Sequence, residues 1–266
     1  MFQVNSQKST VEPKAFNSGT RGLGRIVFLS GITICVWSGT SSVVAAEPVR
    51  ANAVVSVTFD EVAGNANVAV AGVSQPFTAA LVRGPSRVPS PFWNQAGKNA
   101  LRLDAAKRQL VQLSDIPYLD RPDAMTLSFF FLSLHSPADG DAHGILGKRS
   151  AGAGGTNYGI NYVPASDVFQ VYVNDVRGFH IASYSARKVI GSRRLVHLTA
   201  TLEVGDAPPP DADTERDDLR VRLFVNGEPA PPKSVTGGLV HGSDVWLTNL
   251  NVAGLLNDAP LTLGSS

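Results

Sequence analysis

Asp139, Asp141 and His143 carry metal-ligating side chains at alternate positions of Asp139-Gly140-Asp141-Ala142-His143. Two carboxylates and an imidazole so spaced could converge on a cation from one loop, although Asp-Gly is equally ordinary turn chemistry. A second acidic stretch, Gly205 to Asp218, holds Asp206, Asp211, Asp213, Glu215, Asp217 and Asp218 against Arg216. Its Asp-x-Asp-x-Glu core is similar to a calcium loop, but Arg216 stands where the sharp-turn glycine is needed. Pro208-Pro209-Pro210 stiffens its start, and the stretch reads as a solvated insertion that lengthens a hairpin. Glu203 and Glu228 are isolated from other acids at strand spacing, so no carboxylate pair for glycoside hydrolysis is visible. The five histidines lie in no hydrolase motif, and Gly-x-Ser-x-Gly does not occur. Gly152-Ala153-Gly154-Gly155-Thr156-Asn157 lacks the last glycine of a dinucleotide loop and the helix after it. For ligand stacking the ring candidates are Trp93, beside Asn94 and Gln95 in a Pro-rich stretch, and Tyr158. Trp246, between Val245 and Leu247, reads as core.

The elements that must position these residues are strands. Leu219, Val221, Leu223 and Val225 alternate with Arg220, Arg222 and Phe224, so the apolar set shares one face of an extended chain. Asn226-Gly227 then supplies the positive φ values of a tight hairpin turn. Val196, Leu198, Ala200 and Leu202 alternate in the same way against His197, Thr199, Thr201 and Glu203. That strand is expected to pair with Leu219–Val225, with His197 a structural residue on its polar face. Met125 to Leu132 begins by alternating and becomes apolar on both faces, which predicts a central strand. Further strands are expected at Val54–Asp60, near Val68–Val73, at Gly144–Lys148, Asn157–Tyr162, Val168–Val173 with a turn at Asn174-Asp175, and Gly178–Tyr184. Ala100–Asp104 and Gln109–Leu113 read as a hairpin joined around Lys107. Between Gly64 and Asn99 the prolines and glycines otherwise predict irregular chain. No long stretch has helical spacing, so the fold class expected is all-β, an antiparallel sandwich or jelly roll.

The N-terminus is of another kind. Lys8, Lys14, Arg21 and Arg25 precede an apolar run from Ile26 to Trp37, and small residues end at Val43-Val44-Ala45-Ala46. This predicts a signal peptide over 1–46 cleaved near Ala46, with the run short of the about 20 apolar residues that span a bilayer. Residues 47–53 follow as a linker and 54–266 as one domain, secreted, periplasmic or on the cell surface. Cys35, the one cysteine, falls in the signal, so the mature chain has no disulfide and must rest on its core. The chain has 23 Lys and Arg against 22 Asp and Glu. The mature part is slightly acidic, which argues against nucleic acid or an anionic membrane as partner.

The order of strands resembles the laminin G-like domain of the concanavalin A-like lectin/glucanase superfamily. Ala100-Leu101-Arg102-Leu103-Asp104, Met125–Phe131, Ile145–Lys148, Leu195–Thr199, Leu223-Phe224-Val225-Asn226-Gly227-Glu228 and Leu261–Gly264 stand for its successive motifs. Phe130 and Leu195 replace the family's tryptophans. The family's final strand, which pairs back beside the first, has no counterpart here. The expectation is therefore a sandwich lacking its last strand, a truncated sequence, and an open edge beside Val54–Phe59. The resemblance implies a non-enzymatic exported module that binds a glycan or an extracellular protein through rim loops or the concave sheet. It also implies a calcium ion at Asp139, Asp141 and His143. A glucanase-type domain and a structural spacer of a larger surface protein are the alternatives.

Overall fold

The computed structural model describes residues 26–37, 53–57, 59, 61, 63–70, 77–89, 98–114, 124–136, 138–148, 157–186, 195–209, 216–252 and 259–264. β1 (Ile26–Trp37) is followed by β2 (Ala53–Val57), β3 (Ala66–Val70), β4 (Phe77–Val82) and β5 (Ser86–Pro89). β6 (Asn99–Asp104) ends in a 3-10 turn, Ala105–Lys107, and β7 (Leu110–Leu113) comes next. β8 (Ala124–Ser133), β9 (His143–Lys148), β10 (Asn157–Val163), β11 (Val168–Asp175) and β12 (Gly178–Ser185) make the middle of the chain. β13 (Val196–Gly205), β14 (Asp218–Val225), β15 (Glu228–Pro229) and β16 (Pro232–Thr236) precede β17 (Gly238–His241), β18 (Asp244–Leu247) and β19 (Leu261–Leu263).

The strands pair antiparallel throughout and form two layers. One runs β17–β18–β14–β13–β8–β1, with β6 and β2 sharing the far edge of β1. The other runs β3–β4–β7–β19–β9–β10–β11–β12–β16. β2 also pairs β3, so the layers are one sheet folded on itself. The protein is an antiparallel β-sandwich, as the alternating patterns predict.

Contacts across the core show that the two layers face each other. Phe131 of β8 lies edge-on to Tyr162 of β10 and Phe169 of β11, with ring centroids 5.7 Å and 5.8 Å away. Such T-shaped packing suits the quadrupoles of the rings. The Tyr184 hydroxyl of β12 crosses the core and donates to the Val221 carbonyl of β14 at 2.8 Å, which satisfies a polar group that burial would otherwise penalise. Val196, Leu198, Ala200 and Leu202 are all buried while the residues between them are not. β13 pairs β14 with Leu198 opposite Val225 and Leu202 opposite Val221. The Asn226-Gly227 turn has φ values of 56° and 82°, the left-handed pair that its residue types favour.

Three expectations change. Ala100–Asp104 and Gln109–Leu113 are strands but not a hairpin. β6 pairs β5 and β1, whereas β7 pairs β4 and β19 in the other layer. Asp104 accepts a hydrogen bond from the Ala106 amide and Arg108 turns left-handed at φ 50°, which makes the connection a corner between layers. The stretch between Gly64 and Asn99 is more regular than its prolines suggest, because β4 and β5 alternate with them.

The third concerns the edge beside β2. That position is filled, by β1, the same Ile26–Trp37 run whose apolar character suggests an export signal. Val27–Trp37 pairs with β8 over its whole length, with an irregularity between Ser30 and Ile32. On its other edge Ile26–Leu29 pairs β6 and Ile32–Val36 pairs β2. Its β-branched and aromatic content suits a strand.

Truncating the core ring that joins the layers is the direct test of this packing. Phe131→Ala should lower stability by about 3–5 kcal/mol in chemical denaturation. Phe130→Ala, one position along and facing outward, should cost markedly less. Equal losses at the two positions would contradict the facing assigned to β8.

Candidate functional site

At one rim of the sandwich the chain leaves β8 in one layer and enters β9 in the other. The loop between them is held by its own backbone and short polar side chains. Ser133 Oγ accepts from the His135 amide at 3.2 Å, and the Ser136 carbonyl accepts from the Asp139 amide at 3.0 Å. The Asp139 carbonyl accepts from the amide of Ala165, in the β10–β11 turn, at 2.9 Å. These bonds turn the loop inward and gather three side chains, His135, Asp139 and His143, whose ligand atoms lie within 4.8 Å of one another.

Asp139 Oδ2 is 3.0 Å from His143 Nε2 and 3.7 Å from His135 Nδ1. The two imidazoles stack with centroids 3.7 Å apart and planes inclined by 19°. Both histidines are buried. His143 Nε2 lies off the line that a ring N–H would need toward Asp139, and it has no hydrogen-bond partner among the described residues. Partial burial works against ionisation of Asp139. The Asp141 amide and the rings of His143 and His135 outweigh it, and the carboxyl is held below its ordinary range. The arrangement is a ready acceptor of positive charge at the sandwich rim.

The residues singled out by spacing divide here. Asp139 and His143 meet. Asp141 does not join them: it is exposed, and its amide donates to Asp139 Oδ1 at 3.1 Å, so that its backbone positions the Asp139 carboxylate. His135 was not among the spacing candidates. Its signal is the even interval of four residues in His135-x-x-x-Asp139-x-x-x-His143. That interval aligns side chains in a helix, which Pro137 and Gly140 oppose, so only the turned loop makes it meaningful.

Tyr158 has to be corrected as a ligand-facing ring. It is 2% exposed and belongs to the core face of β10, where it offers no face to a ligand. Trp93 lies outside the described residues, as do Asp211, Asp213 and Glu215 of the acidic insertion. Within that insertion Asp218 is fully buried and structural, its carboxylate accepting from the Ala207 amide at 2.7 Å and the Asn249 amide at 2.9 Å. Trp246 is also not core. It faces outward on β18 with the Arg220 guanidinium 5.6 Å from its ring centroid, while Val245 and Leu247 point inward. Glu203 is ion-paired with Arg220 across β13 and β14. His197 has the structural place expected, with Nε2 2.7 Å from Ser128 Oγ.

A second surface lies on the outer face of β10, β11 and β12. Register places Gly159, Tyr172 and Ile181 in one row, Asn161, Gln170 and Ser183 in the next, and Asn157, Asn174 and Phe179 in a third. Phe179 is 51% exposed, and Val176 in the adjoining turn is 65% exposed. The Tyr172 and Phe179 ring centroids are 6.1 Å apart. Tyr172 can lie over β10 because residue 159 is glycine. A Cβ there would run into the Leu146 carbonyl oxygen and come 2.8 Å from the Tyr172 hydroxyl. Asp175 fixes the turn beside this face, with its carboxylate accepting from the amides of Arg177, Gly178 and Asn251 at 2.8, 3.0 and 2.5 Å. The turn therefore falls at Val176-Arg177, two residues beyond the Asn174-Asp175 expected.

Among solved structures the chain is similar to domains LG4-5 of the mouse laminin alpha1 chain, at 12% identity and a TM-score of 0.30. The match covers 92% of this chain and 76% of that one. No family model and no curated relative matches the chain. A likeness so slight assigns neither a ligand nor a role to any residue here. Among the described residues no helix is long and apolar enough to cross a membrane.

Among the described residues, Asp139 and Asp244 are carboxylates held below their ordinary range. Asp244 is held below its ordinary range first by its hydrogen bonds from Arg222 Nε and Nη2, at 2.6 and 2.8 Å, against the opposing effect of burial. Asp139 is lowered as described above. A carboxyl depressed on folding stabilises the native state above its unfolded pKa, and this contribution is lost as pH falls through the folded value. Both start from an ordinary value of 3.8. Urea midpoints should therefore drop as pH falls below about 4. Asp139→Asn and Asp244→Asn should each flatten that drop, and an unchanged acid slope in both variants would contradict these pairings.

Proposed function

We propose that this chain is an exported, non-catalytic binding module that presents the outer face of β10, β11 and β12 to a glycan. One observation carries the reading: the exposed Phe179 ring stands against the buried Tyr172 ring, with the amides of Asn157 and Asn174 in its own row and those of Asn161 and Gln170 further along the same face. Aromatic rings stack on the apolar faces of sugars while amides hydrogen-bond their hydroxyls, and both kinds of group share this face. The face is built on three consecutive strands, β11 pairing both β10 and β12, rather than on loops, which favours precise placement of such groups.

Export rests on the basic head, the apolar run 26–37 and the small residues before Ala46. Cleavage there takes β1 out of the sheet, and the position between β8 and β2 then falls to another extended segment. On this reading the N-terminal sequence of the protein recovered outside the cytoplasm begins at Glu47. A start that retains Ile26–Trp37 would contradict cleavage.

The binding reading is tested by a glycan array followed by calorimetry on any hit. The expected result is binding without release of reducing ends, weakened about tenfold by Phe179→Ala. Release of reducing ends, or an affinity indifferent to Phe179→Ala, would overturn it.

A further inference from the structure

The rim cluster is placed apart from the outer sheet face, and its chemistry is different. Its donors are two imidazole nitrogens and one carboxylate oxygen. We propose that His135 Nδ1, Asp139 Oδ2 and His143 Nε2 form a site for a divalent first-row transition metal ion, with zinc the ion it suits best.

Donor type decides against calcium, the ion that alternate acidic residues would suggest. Calcium takes six to eight oxygen ligands, whereas imidazole suits zinc and its neighbours in the first transition row. Here Asp141 is not among the converging side chains, and its amide donates to Asp139 Oδ1 while Oδ2 lies nearest the histidines. The distances fit as well. Zinc bonds of about 2.1 Å in tetrahedral geometry set ligand atoms about 3.4 Å apart. The observed separations of 3.0 Å and 3.7 Å from Asp139 Oδ2 bracket that value, while the three ligand atoms span up to 4.8 Å and must draw together on the ion. His143 Nε2 is buried and has no hydrogen-bond partner among the described residues, a cost that a metal bond removes.

The movement required is confined to side chains. The rings stack nearly parallel, and an imidazole lone pair lies in its ring plane, so each ring must turn out of the stack until both planes meet at one point beside the carboxylate. The Asp141 amide donates to Asp139 Oδ1 and fixes the orientation of that carboxylate. His143 opens β9 in one layer and His135 follows β8 in the other. A bound ion would therefore clamp the two layers at this rim, with a further coordination position left for water or a ligand oxygen.

The test is titration of the metal-free full chain with zinc chloride, calcium chloride and cobalt chloride, read by calorimetry, melting temperature and visible absorption. Expected are one zinc equivalent, a rise in melting temperature, and cobalt absorption bands of a low-symmetry nitrogen–oxygen site, with no response to calcium. His135→Ala should weaken zinc binding by at least about tenfold. Truncating a buried ring also loosens the loop, so Asp139→Asn, which keeps the side-chain shape, is the second variant and should weaken it similarly. Asp141→Asn should bind zinc as the parent does. Absence of zinc and cobalt binding would overturn the proposal, as would zinc affinity unchanged in both His135→Ala and Asp139→Asn. A calcium response that equals zinc and is lost in Asp141→Asn would overturn it in favour of an oxygen site.

Discussion

The constraint on which the sandwich depends is an occupied strand position between β8 and β2, and in the full chain β1 occupies it. That strand supplies hydrogen bonds to β8 along one edge, while its other edge is divided between β6 and β2. Without a strand there, the layer that holds β8, β13 and β14 loses its backbone connection to β2, and β2 is the strand that leads through β3 into the other layer. β8 spans ten residues, so an empty position would leave a long row of unpaired amides and carbonyls, which is the usual route to edge-to-edge association. The core contacts of Phe131 with Tyr162 and Phe169 hold the layers face to face, but they do not satisfy the backbone of β8.

Both candidate sites follow from this frame. The β8–β9 connection must cross from one layer to the other, and the crossing draws His135, Asp139 and His143 together at the rim. The outer face of β10–β12 is fixed by two-residue register, which puts Tyr172 and Phe179 on the side opposite Phe169, Val171 and Val173. Gly159 gives Tyr172 its room, and Asp175 caps the turn that displays Val176 and Phe179. Neither site needs a mobile loop to assemble it. Each is a consequence of strand order and alternation.

The parts legible from residue order are those where one local rule acts unopposed. Alternation in Val196–Leu202 and Leu219–Val225, together with Asn226-Gly227, specifies strands, faces and turn without reference to the rest of the chain. The Ala100–Leu113 segment misleads because two short alternating runs around a tight turn look alike whether they pair or part. What separates them is a corner made by Asp104 and Arg108, and of their partners only β5 is near in sequence while β1, β4 and β19 are far. Tyr158 and Trp246 exchange the places expected of them for a related reason. Flanking residue types say little about facing, which is set by the register of the strand as a whole. His135 escapes notice because its distance from Asp139 and His143 along the chain matters only once the loop has turned. The Ile26–Trp37 run is the hardest case, since apolar β-branched residues serve an export signal and a sheet strand equally well.

The central claim is that the position between β8 and β2 must be filled by an extended segment for the sandwich to close. The most direct measurement compares the full chain with residues 47–266 alone, by melting temperature and sedimentation, with and without a synthetic peptide covering residues 26–37. The account predicts that the shorter chain melts lower or associates, and that the peptide restores a monomeric domain of higher melting temperature. A shorter chain that is monomeric, melts as the full chain does and ignores the peptide would contradict it.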